Sequence, residues 1–67
     1  MFFYLFNKDK TIYELRKASS YTLEELSKRS GIPSSELQPF EYSKLKDVPK
    51  ELRRMLVEIF ENQIGVI

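Results

Sequence analysis

The chain has 67 residues, with 11 lysines and arginines against 10 acids and a net charge of +1. That length allows one domain, near the lower limit for a core that stands alone, and the charge does not by itself announce a nucleic-acid ligand. Cysteine and histidine are absent, which excludes disulfides, zinc-finger spacings, a nucleophilic thiol and imidazole acid–base chemistry.

The first six residues, MFFYLF, are followed abruptly by the polar run NKDK. The run is too short for the roughly 7–15 apolar residues of a signal peptide or the roughly 20 of a membrane span, so no membrane segment is expected. Together with the lack of cysteine, this fits a cytoplasmic protein. β-propensity predicts a short strand here. Phe2, Phe3, Tyr4 and Phe6 read either as completing a small core or as an arm that meets a dimer partner or another protein. The tail is apolar again, and Ile64 and Val66 join this set of candidate contacts. Phe2–Phe6 and Ile64–Ile67 are expected to pack near each other as paired strands.

The helical region opens at Thr11. Thr11 with Glu14 has the spacing of a capping box, and Ile12, Leu15 and Ala18 trace one apolar stripe. Asp9 near the start and Arg16 and Lys17 in the last turn suit the helix dipole. Ser19, Ser20 and Tyr21 link to the next segment. Thr22 with Glu25 repeats the capping box, and Leu23 and Leu26 share a face. Gly31 stands where the chain needs a left-handed residue to leave the helix. Pro33 pre-sets a new helix start, and Leu37 and Phe40 again have helical spacing. Leu26, Ile32, Leu37 and Phe40 are the expected core of this pair.

A polar link with Lys44 and Lys46 follows. Val48 and Pro49 then open a closing helix, with Asp47 near its start. Leu52, Met55, Leu56, Ile59 and Phe60 match the i, i+3, i+4, i+7, i+8 template. Arg54 and Glu58 form an i, i+4 pair in the less favourable order. The expected fold is a single all-α domain of about four helices, with short strands at both ends. Its parts are an apolar arm over 1–8, a helix-turn-helix over 22–41 and a closing helix over 49–62.

Two helices joined at a glycine turn are the physical content of a helix-turn-helix, although a generic helical hairpin shows the same spacing. The runs TIYELRKASSYTLEELSKRSGI and TLEELSKRSGIPSSELQPFE resemble the Cro/CI-type helix-turn-helix family. The stretch Tyr21–Glu41 is also similar to the MerR-type motif. That motif normally opens its domain, whereas a full helix precedes it here. The Cro/CI resemblance implies an all-α DNA-binding domain whose second motif helix enters the major groove. Carried over from Gly31, the base-facing positions fall on Ser34, Ser35, Gln38 and Pro39. Serine serves several bases, and glutamine pairs with adenine N6 and N7. Lys28, Arg29, Lys44 and Lys46 flank the motif as candidate phosphate contacts. Glu41 matches a position where the family often has glutamate.

Two departures from the family pattern weigh against DNA. Pro39 stops a regular second helix and is expected to push Gln38 toward extended geometry. The motif itself carries four acids, Glu24, Glu25, Glu36 and Glu41, against Lys28 and Arg29, and Glu36 lies beside the reading positions. The expected function is a small transcriptional regulator that binds double-stranded DNA as a homodimer. The alternative is an interaction module of the same shape that binds another regulator or an enzyme without touching DNA. No enzyme, cofactor or metal is expected: Glu24 and Glu25 are adjacent rather than opposed across a cleft, and so short a chain leaves little room for a pocket.

Overall fold

In the computed structural model, which describes residues 2–64, helices follow one another in the order α1 (Phe2–Asn7), α2 (Ile12–Ala18), α3 (Leu23–Ser30), α4 (Ser34–Leu37) and α5 (Lys50–Ile64). Short 3₁₀ turns cover Gln38–Phe40 and Leu45–Asp47. The domain is all-α.

Reciprocal caps start the two central helices. The Glu14 N–H donates to the Thr11 hydroxyl at 3.1 Å, and the Thr11 N–H donates to the Glu14 carboxylate at 2.8 Å. Thr22 and Glu25 repeat the arrangement at 3.0 and 2.8 Å. The backbone N–H of each threonine, then its hydroxyl, holds the glutamate carboxyl below its ordinary range.

The expected N-terminal strand is a helix instead. Phe3 and Asn7 lie four residues apart on the face turned to the core, and both are buried. The Asn7 side-chain amide donates to the Phe3 carbonyl at 2.8 Å, which closes that face. A strand would have needed a partner edge, and among the described residues the β pairing is a single isolated bridge, Thr11 to Lys44. Burial of one aromatic against α5 therefore outweighs β-propensity. Phe3 is wholly inside its own core, so it offers no partner contact. Of the apolar tail, Ile64 ends α5 and is partly exposed. Val66 and the rest of 65–67 lie outside the described residues, and with them the proposed end-to-end pairing.

Phe3, Ile12, Leu15, Leu26, Leu37, Leu45, Leu56 and Phe60 form the fully buried centre. Each such side chain contributes about 1.5–3 kcal/mol before entropy is subtracted. Ile32 and Phe40 pack against that centre only partly buried. On α2 the buried stripe runs through Ser19 rather than Ala18, with the Ser19 hydroxyl donating to the Leu15 carbonyl at 2.9 Å. On α5 the stripe centres on Leu56 and Phe60, so Met55 turns outward and is 39% exposed. Pro49 precedes this helix, its carbonyl accepting from the Arg53 N–H at 2.8 Å.

Candidate nucleic-acid interface

The α3–α4 corner is built from serines and one glycine. Gly31 takes φ +75°, and its N–H donates to the Ser27 carbonyl at 2.8 Å. The Ser27 hydroxyl donates to the Ile32 carbonyl at 2.6 Å, and the Ile32 N–H donates to the Ser30 hydroxyl at 3.1 Å. The backbone groups freed at the helix end are thus met locally. Pro33 sits just before α4 as its cap residue.

Beyond Leu37 the helix tightens rather than unwinds. Pro39 has no N–H to offer the Ser35 carbonyl, and the chain passes into a 3₁₀ turn that accepts proline at its start. Gln38 keeps helical angles, φ −54° and ψ −40°, instead of the extended geometry expected before proline. The second motif helix is short, as its sequence implies, but its polar face runs on through Gln38.

Of the expected reading residues, Ser35 and Gln38 are exposed, as is Pro39, whereas Ser34 is only half-exposed. Leu37 between them is buried and fixes the facing of the segment. At the other end, Glu41 is buried and ion-paired with Arg16, whose second guanidinium nitrogen donates to the Tyr21 carbonyl at 2.9 Å. This clamp ties α2 to the end of the reading segment. Sequence reasoning placed Glu41 at a family position but not with its partner 25 residues away.

The four candidate phosphate contacts divide into two pairs. Lys28 and Arg29 are exposed in the last turn of α3, where the Arg29 guanidinium stands 5.2 Å from the Tyr21 ring centroid. Lys44 and Lys46 are brought instead against the loop after α1. The Leu45 N–H donates to the Lys10 carbonyl at 2.9 Å, and the Lys46 N–H donates to the Lys8 carbonyl at 3.0 Å. Lys8, Lys10, Lys44 and Lys46 therefore lie on two stretches running side by side. Lys46 also meets Asp9, Nζ to Oδ1 3.2 Å. Its hydrogen bond and charge hold Asp9 below the carboxylate range, and Asp9 raises Lys46 in turn. Both groups are well exposed, so the pair contributes little to stability and competes only weakly with a phosphate. Lys8 and Lys10 were not anticipated; no local signal links them to residues more than 30 positions away.

The opposite charge gathers in a groove beside Ser35. Ile32, Pro39, Phe40, Leu52 and Met55 line it together with Glu36 and Glu51, and no base is among its lining residues. Among the described residues there is no cluster able to hold a metal ion, and no helix is long and apolar enough to cross a membrane. Comparison with family models, curated proteins and solved structures finds no match.

Proposed function

We propose that this chain is a small helix-turn-helix regulator that reads duplex DNA with the exposed edge of Ser34–Gln38. The lysine cluster carries the reading. The chain at Lys8 and Lys10 runs beside Lys44 and Lys46, which follow the reading segment in the sequence, and Asp9, Glu14 and Asp47 are the acids that interact with these lysines. Lysines so grouped neutralise phosphates and set register, while Ser35 and Gln38 reach base edges. Gln38 is suited to adenine, with its amide oxygen and nitrogen meeting N6 and N7. The acid-rimmed groove favours a second reading, a module that binds protein rather than DNA.

Fluorescence anisotropy with a random-sequence duplex at two salt concentrations separates the two. Salt-sensitive binding is expected, weakened evenly by Lys44→Ala and Lys10→Ala, each lowering the salt slope by about 0.9. Gln38→Ala should relax preference at one base pair by about 1–3 kcal/mol, measured by selection from a randomised pool. Failure to bind any duplex in a salt-sensitive way removes the DNA reading.

A further inference from the structure

Two surfaces of the molecule fit each other. α1 turns Phe2, Leu5 and Phe6 to solvent, 57, 57 and 60% exposed, while Phe3 behind them is fully buried. Their i, i+3, i+4 spacing sets them on one helical face, the anchor pattern by which a helix enters an apolar groove. The groove between the Gln38–Phe40 turn and α5 has a volume of about 560 Å³, apolar walls and two carboxylates, Glu36 and Glu51. Lys8 and Lys10, immediately after α1, supply the complementary charge.

The helix cannot reach the groove of its own molecule. α1 lies against the flank of α5 that carries Arg53 and Val57: the Arg53 guanidinium stands 5.7 Å from the Tyr4 ring centroid, and Tyr4 and Val57 line one cleft. Leu52 and Met55 face the groove from another flank. At roughly 100° per residue, Met55 and Val57 point about 160° apart.

We infer that the occupant is a second copy of this chain, its Phe2–Leu5–Phe6 face seated in the groove and its Lys8 and Lys10 against Glu36 and Glu51. The contact joins two different surfaces. Each pair therefore keeps one free α1 face and one free groove, and association continues until a ring closes or a filament grows. Ser35 and Glu36 belong both to this groove and to the proposed reading segment. Self-association therefore hides that segment. That consequence rests on the DNA reading, whereas the docking itself does not.

Sedimentation velocity of the full chain over a range of concentrations tests the docking. The wild type should form dimers and larger species as concentration rises. Leu5→Ser/Phe6→Ser, which removes the anchors, and Met55→Arg, which fills the groove, should each be monomeric with unchanged helicity by circular dichroism. Mixed in equal amounts, these two variants should give a heterodimer that grows no further, because one supplies the intact α1 and the other the intact groove. As a check that leaves the apolar surfaces alone, Glu51→Lys should weaken association, and Lys10→Glu in the same chain should restore part of it. A wild type that stays monomeric throughout overturns the proposal. So does a Met55→Arg chain that associates like wild type, or a mixture that fails to pair. If the chain also binds DNA, Leu5→Ser/Phe6→Ser should keep full affinity at concentrations where wild-type binding falls. Association as described in a chain that binds no DNA supports the docking and removes the regulator reading.

Discussion

α2 and α3 begin alike and end differently. Each starts at a threonine–glutamate reciprocal cap. α3 leaves through Gly31 at φ +75°, where an added Cβ would meet nothing within 4 Å. α2 leaves through Ser20 at φ +61°, a side chain in a conformation that favours glycine. The exit has the Schellman pattern, with the Ser20 N–H donating to the Lys17 carbonyl and the Tyr21 N–H to the Arg16 carbonyl, both at 3.0 Å. It is further pinned by the Arg16 side chain, which holds Tyr21 and Glu41 together. One corner is made by its own residues; the other is imposed by the fold around it.

Three changes sharpen that contrast. Arg16→Ala should be the most damaging, because it leaves Glu41 unpaired at a site only 11% exposed and frees the Tyr21 carbonyl. A loss of about 3 kcal/mol is expected in urea unfolding, a large share of the roughly 3–10 kcal/mol available to a domain this size. Gly31→Ala should cost about 1–2 kcal/mol by the same measurement, all of it backbone strain since the site is open. Ser20→Gly should act in the opposite sense and stabilise by about 0.5–1 kcal/mol, the strain relieved less the entropy glycine gains when unfolded. If Ser20→Gly destabilises instead, the left-handed conformation at Ser20 carries less strain than glycine's unfolded-state entropy.

The gentlest probe is pH. Asp9, Glu14 and Glu25 all have lowered pKa values in the fold. Their contribution is complete above the ordinary carboxylate range, about pH 4–4.5, and is lost as pH falls through the lowered values. Without histidine, stability should be flat from about pH 5 to 9. The Glu14→Gln/Glu25→Gln chain, which removes both capping carboxyls from the titration, should show a shallower acid loss in thermal melts. An equally steep loss would mean that other carboxylates govern acid unfolding.

The same division between local and imposed structure separates what was legible in the chain from what was not. Both threonine–glutamate caps, the Gly31 corner, the short second motif helix and the closing helix could be read directly, since each depends on residues within a few positions. The arm at Phe2–Asn7 could not. Its aromatic content speaks for a strand, and only α5, offering a place for Phe3 with no strand edge nearby, makes it a helix. Leu45 shows the same limit: alone between two lysines, it gives no sign of being fully buried. At the candidate interface, Ser35 and Gln38 were legible as small polar residues after a helix start. The company Ser35 keeps was not, because Glu51 and Met55 come to its groove from the far end of the chain.

What the amino-acid order determined by itself was where α2, α3 and α4 start and where α3 and α4 stop, because capping, proline and left-handed glycine act over three or four residues. Tertiary structure alone decided which charges share a surface. It set Arg16 on Glu41, put Lys8 and Lys10 beside Lys44 and Lys46, and brought Glu36 and Glu51 to one groove. Electrostatic and apolar complementarity depend on distance in space, and the order of residues along a chain does not carry that distance.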